Sequence, residues 1–296
     1  MANIAVGAAL YTSYLQILTR LHEPSAHAAK TVYPPPSPSA TFAAGFAAGT
    51  IQSVIAAPLD ALQVRFDRRG EYYENKTMWQ YGKGKLHEIG TRGIFAGWGL
   101  SFLKDSFGSG IFFSTFEYVK AQAYYKFVGW YYGSLGEAAV DKIAQRRGSV
   151  ATESQPTAVI KPHYAIEPSF LMLAGVSASV AQQSILFPLS AIQNLHFERL
   201  EDLDNQAMKL HHARGRGLMI RAYYHAYQET WKQCKIQAVE EGGLTRWLYK
   251  GFWWSTIRQV PSTSAALIIF ELVRRKYGMK GDGVKINQDG YDILLT

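Results

Sequence analysis

The sequence predicts an all-α polytopic membrane protein, a helical bundle built from a repeated two-helix unit. Three observations predict it. Three stretches of span length contain no Asp, Glu, Lys or Arg. Two more are apolar, carry a few charges and are bordered by clustered aromatics. Two blocks of the chain share residue types at matching offsets.

The charge-free stretches run from Ala2 to Thr19, from Thr31 to Leu59 and from Pro168 to Phe197, which is 18, 29 and 30 residues. A helix needs roughly 20 mostly apolar residues to cross a bilayer. Buried core helices of a soluble protein are the alternative. The second stretch contains Pro34-Pro35-Pro36, so its helix is expected to start near Ser39. Trp98 to Tyr125 contains Lys104, Asp105, Glu117 and Lys120, and Leu248 to Val273 contains Lys250, Arg258 and Glu271. Charge at membrane depth is costly and usually faces a bundle interior or water. Trp98, Trp130, Tyr131 and Tyr132 in one region, and Trp247, Trp253 and Trp254 in the other, suit interfacial belts. Helices with one polar and one lipid-facing side also explain a mean hydropathy of only −0.11.

The remaining composition excludes other classes. Of 296 residues 26 are Gly and 11 Pro, which fits neither a collagen-like nor a low-complexity chain. The single cysteine, Cys234, excludes an intramolecular disulfide framework. A net charge of +8 points to anionic lipid, nucleic acid or anionic solutes.

The repeat is defined by spacing. "AGFAAGTIQSVIAAPLDALQ" and "AGVSASVAQQSILFPLSAIQ" each place a glycine, Gly45 or Gly175, 13 residues before a proline, Pro58 or Pro188. Each opens with a small-xxx-small element, Gly45/Gly49 and Gly175/Ser179, which lets helices approach closely. Each ends with a glutamine, Gln63 or Gln193. Downstream, Gly97 is followed by Lys104 at +7 and Phe116-Glu117 at +19 and +20; Gly251 is followed by Arg258 and Phe270-Glu271 at the same offsets. A base follows each acid by three residues, Lys120 and Arg274. The linking segments are basic on balance, with seven bases to four acids over 65–92 and nine to seven over 198–250. Within the second, Tyr224 to Val239 reads as an amphipathic helix stopped by Gly242-Gly243. Residues 129–166 read as a connecting loop and 279–296 as a polar tail.

These residues resemble the mitochondrial carrier family, whose members have three repeats of two transmembrane helices in a pseudo-threefold arrangement. The family's odd helices carry a Pro-x-acid-x-x-base pattern. "PLDALQVR" keeps Pro58, Asp60 and Arg65 but has Gln63 for the base; "PLSAIQNL" keeps Pro188 with Ser190, Gln193 and Leu195. The even helices carry an aromatic-acid-x-x-base pattern, matched in full by "FEYVK" and "FELVR". The aromatic-basic-glycine element appears as "LYKG" and, without its base, as "IFAG". At the N-terminus Tyr11 and Tyr14 align with Phe113 and Phe116, and Leu15 with Glu117.

The resemblance implies a carrier-like domain over 1–278, with a partial second helix at 1–22 and full repeats at 39–128 and 167–278. It implies a multi-pass protein of the mitochondrial inner membrane that moves a small anionic or amino-acid-like metabolite by alternating access, with no cofactor. Lys104, Asp105 and Arg258 take the substrate-contact places. Pro58, Asp60, Gln63, Pro188 and Gln193 take the matrix-side gate. Phe116, Glu117, Lys120, Phe270, Glu271 and Arg274 take the cytoplasmic-side gate. Anionic lipid such as cardiolipin is an implied partner. The first helix and half of the second lack counterparts, so a homo-oligomer or a membrane-protein partner filling that slot is expected. The eroded matrix gate leaves a rival function open, a non-transporting structural or assembly subunit.

Plainer readings stand beside each assignment. The contact-place charges can neutralise one another or snorkel. Glu117/Lys120 and Glu271/Arg274 can be local helix pairs. The prolines can simply kink helices, and the glutamines can bridge helices without gating. His211-His212 has no third ligand at a metal-site spacing. "RGRG" at 214–217 is too short for nucleic acid and suits a loop facing anionic lipid. There is no Gly-rich phosphate loop, nucleophile elbow or HExxH, and no enzyme is expected.

Overall fold

A computed structural model describes residues 2–26, 34–68, 80, 82–84, 87, 95–133, 158–160, 162–163, 166–209, 216–277, 284–288 and 291–295. The fold is all-α, as expected. Helix α1 is Ala2–Leu21, α2 is Pro38–Arg68 and α3 is Trp98–Glu117. A π-helical segment, Tyr118–Ala123, leads into α4, Tyr124–Gly133. Then come α5 at Ile166–Lys209, α6 at Arg216–Glu240, α7 at Leu244–Leu248 and α8 at Phe252–Tyr277.

Local chemistry sets the boundaries. Ser37 Oγ accepts the Ala40 amide at 3.2 Å, and Pro38 takes the first helical position, where a missing N–H costs nothing. The α6 stop is a glycine cap. Gly242 and Gly243 have φ of 79° and 141°, and the Gly243 amide turns back to the Ala238 carbonyl at 2.7 Å.

Burial on α2 is inverted relative to a soluble protein, and α5 follows that pattern only in part. On α2, Ile51, Val54 and Ile55 are exposed, while Ala44, Ala48, Ser53, Ala56 and Ala57 are buried. On α5, Met172, Leu173 and Val176 are exposed, while Ala174, Ala178 and Ser179 are buried. Large apolar side chains outside and small or polar ones inside, as on α2, is the arrangement that helix packing in lipid selects, whereas α5 also buries Leu171, Phe197 and Leu200. By length and composition α2 over Pro38–Leu62 and α5 over Ile166–Leu203 can each cross a membrane.

The chain divides into two compact units. One comprises residues 1–14, 46–109 and 182–256, and its core includes Ala61, Phe197, Leu200 and Ala226. The other comprises 15–45, 110–181 and 257–296, and packs Phe116 against Leu171, Ala174 and Ala178.

Two segments differ from the expectation. Helix α4 runs to Gly133, into the stretch read as a connecting loop. Aromatic packing extends it: Phe127 stacks on Tyr131 at 5.8 Å and meets Phe170 at 5.2 Å, and Tyr132 is buried. Within the segments read as loop and polar tail there is also a three-stranded sheet. Strand β1 is Ala158–Ile160, β2 is Val284–Gln288 and β3 is Tyr291–Leu295. β3 lies in the middle, parallel to β1 (Val159 opposite Asp292) and antiparallel to β2 (Ile286 opposite Ile293).

Cys234 on α6 is buried, and burial raises its thiol above the ordinary value. A maleimide reacts with the thiolate at an accessible sulfur. The folded protein in mild detergent is therefore expected to resist labelling at pH 7 and to label fully in SDS. Fast labelling of the native protein would contradict this burial.

Candidate functional site

In the first unit α2 and α3 meet with almost no separation at Gly49, because a Cβ there would run into the Asp105 carbonyl and lie 2.9 Å from Ser106 Cα. Hydroxyls fasten this contact. Thr50 Oγ1 donates to the Phe46 carbonyl at 3.0 Å, so in its 3.0 Å bond with Ser106 the latter donates. Ser53 Oγ donates to the Thr50 carbonyl at 2.8 Å and accepts from Trp98 Nε1 at 3.3 Å.

Charged groups gather beside that contact. Lys104 Nζ lies 3.2 Å from Asp60 Oδ2 and 3.9 Å from Asp105 Oδ1. The Lys104 and Asp105 side chains are 17% and 10% exposed, and Asp60 is 33% exposed. Asp105 Oδ2 is buried and accepts no hydrogen bond. One ammonium thus serves two carboxylates, with the nearer contact going to Asp60.

Two of the residues expected at substrate contacts, Lys104 and Asp105, are neighbours here, joined by Asp60 from the expected matrix-side set. Arg258 lies on α8 in the other unit and is exposed. Pro58 and Pro188 lie inside α2 and α5. Gln193 Nε2 donates to Ser101 Oγ at 2.7 Å, and both residues are buried. The side chain of Gln63 lies outside the described residues.

In the second unit Lys120 Nζ lies 3.1 and 3.2 Å from the two Glu117 carboxylate oxygens and 5.4 Å from the Phe116 ring centroid. Glu117 and Lys120 are therefore a local i,i+3 pair, and Phe116 is buried. Phe270, Glu271 and Arg274 lie on α8, but their side chains are outside the described residues. So are His211 and His212; among the described residues no cluster of His, Cys, Asp or Glu could hold a metal.

Sequence reasoning passed over His196. Its ring is fully buried, 4.1 Å from the Tyr227 ring centroid, with Nδ1 2.9 Å from Thr230 Oγ1. Thr230 already donates to the Ala226 carbonyl at 2.7 Å, so it must accept, and His196 carries its proton on Nδ1. Tyr227 Oη donates to the Ala96 carbonyl at 3.1 Å, and burial raises its phenol pKa. The His196 contacts fasten α6 to α5, and the Tyr227 bond ties α6 to the turn before α3. One signal was available: His196 follows Gln193 by three residues and shares its helix face.

A family model described as mitochondrial carrier protein matches residues 34–126, which contain α2 and α3 with Asp60, Lys104, Asp105, Glu117 and Lys120. Over those residues the chain is similar to the mitochondrial carrier family. A relative from Eremothecium gossypii, "Putative mitochondrial carrier protein PET8", is 21% identical over 238 residues, covering 80% of this chain and 64% of that protein. A mitochondrial glycine transporter from Coccidioides immitis is 27% identical over 99 residues, covering 33% of this chain and 28% of the transporter. The chain thus spans less than two thirds of the length of either relative. No solved structure matches it.

Proposed function

We propose that this chain is a multi-pass protein of the mitochondrial inner membrane that moves a small anionic or amino-acid-like metabolite. The observation that carries the reading is the charged cluster of Lys104, Asp60 and Asp105 beside an apolar, span-length helix. Ionisable groups at such a position are functional by default, because burying them without a purpose is expensive. The 27% identity to a named glycine transporter favours the amino-acid-like half of the reading. Lys104, Asp105 and Arg258 are the proposed contacts. The proline-associated set and the aromatic-acid-base set are the proposed matrix-side and cytoplasmic-side gates. Anionic lipid is the proposed partner of the basic linking segments.

One observation favours the rival, a non-transporting structural subunit. Gln193, at a gate place where the family has a base, is already bound to Ser101 as an interhelical tie. Exchange of labelled amino acids in proteoliposomes separates the two. Lys104→Ala and Arg258→Ala are each expected to lower exchange by about tenfold or more, the worth of one charge-assisted contact. Absence of exchange for every small amino acid and carboxylate tried would favour the structural reading.

A further inference from the structure

The small sheet joins two parts of the chain that the repeat pattern leaves apart. β1 lies in the stretch between the repeats, and β2 and β3 lie in the tail beyond α8. The middle strand β3 is parallel to β1, with Ala158, Val159 and Ile160 opposite Tyr291, Asp292 and Ile293. It also forms an antiparallel hairpin with β2. A hairpin alone is marginal in water; a third strand, an apolar face and a helix alongside make it hold. All three are present. Strand residues alternate between faces and opposed residues share one, so Ile160, Val284, Ile286, Ile293 and Leu295 fall on one face. β2 lies beside α4. Just beyond β1, the His163 amide donates to Tyr132 Oη at 3.0 Å, and Tyr132 is buried near the end of α4. These elements all belong to one compact unit.

The result is a closed connection. β1 leads into α5 and β2 follows α8, the two long helices of the second repeat, while α4 ends the first. We infer that the tail hairpin Val284–Leu295 is a clasp: paired with β1 and set beside α4, it restrains movement of one repeat against the other at this end of the bundle. The inference goes beyond the carrier reading and rests on it only for the effect on transport. Carriers work by moving repeats against each other about a central site, so a strap across two repeats slows the cycle. β1 is only three residues long. The clasp is therefore weaker than the helices it joins and opens before they do.

The test uses the full chain in a Cys234→Ala background with Val159→Cys and Asp292→Cys, which face each other across the ladder. Mild oxidation is expected to join them, read as a gel shift that dithiothreitol reverses. Val159→Cys with Lys285→Cys, on the strand beyond β3, is expected not to join. Two variants release the clasp. Asp292→Pro removes a ladder donor from the central strand, and a chain ending at Gly283 lacks the hairpin. Each is expected to speed amide hydrogen exchange over Tyr124–Gly133 by about fivefold or more, the low end of an intramolecular coupling, with α2 unchanged. In liposomes loaded with labelled amino acid, both should raise solute exchange and oxidation of the cysteine pair should lower it, by the same factor. No disulfide between positions 159 and 292, or equal joining in the control pair, would overturn the proposal. So would wild-type amide exchange over Tyr124–Gly133 in both release variants, or solute exchange slower in them than in wild type. A disulfide and faster amide exchange in a protein that moves no solute would remove the carrier reading and keep the clasp. Solute exchange indifferent to oxidation, to Asp292→Pro and to truncation would keep the carrier and remove the clasp.

Discussion

Gly49→Ala is expected to lower the thermal midpoint of the detergent-solubilised protein by roughly 5–10 °C, through about 2–3 kcal/mol of overpacking. The added methyl meets backbone, the Asp105 carbonyl and Ser106 Cα, so no rotamer change relieves it. The two helices must move apart. That separation also stretches the 3.0 Å Thr50–Ser106 bond and shifts the carbonyl of the residue that carries the buried carboxylate. Gly7→Ala is the matched control. Gly7 is also helical, but nothing lies within 4 Å of its would-be Cβ. Alanine is favoured over glycine in a helix interior by up to about 1 kcal/mol, so that variant should match or exceed wild type. The difference between the two midpoints reads the interhelical contact with the propensity change cancelled. Equal midpoints would show that α2 and α3 do not touch at Gly49.

What the sequence made legible were features set by near neighbours. The Pro-rich entry before α2, the Gly242-Gly243 stop after α6 and the small residues at Gly45 and Gly49 follow from backbone sterics, and these act over a few residues. Partners were not legible, because offsets assign a residue to a helix face without naming what faces it. Asp60 and Lys104 are 44 positions apart, and Gln193 and Ser101 are 92 apart. The family pattern put Asp60 with a gate and Lys104 with a solute, and nothing in either motif brought the two side chains together. The sheet was missed for a different reason. "VKINQDGYDILL" has an Asp-Gly pair between alternating residues, a local hairpin signal. Lys285, Asn287, Gln288 and Asp292 give the same segment the composition of a polar tail.

Lys104→Met is expected to destabilise the fold by about 3 kcal/mol, and neutralising an acid alongside it should restore much of that. The lysine is the only cation that pairs with Asp60 or Asp105 among the described residues. Removing it leaves two carboxylates facing each other with no counter-charge. Breaking a buried ion pair costs about 3–5 kcal/mol, mostly for the charge left behind, and the low end applies because Asp60 is a third exposed. Methionine keeps the length and apolar stem of lysine, so packing loss is minor and the effect reads charge. The double variant Lys104→Met with Asp60→Asn leaves one carboxylate in place of two and should regain more than half of the lost stability. The measurement is the midpoint of the four proteins in one detergent at pH 7.5. The coupling between the two sites is then the departure from additivity. A plain structural lysine gives additive losses. An ammonium shared by two carboxylates makes the double variant more stable than the Lys104→Met single, and the reverse order would remove the charge cluster as an energetic unit.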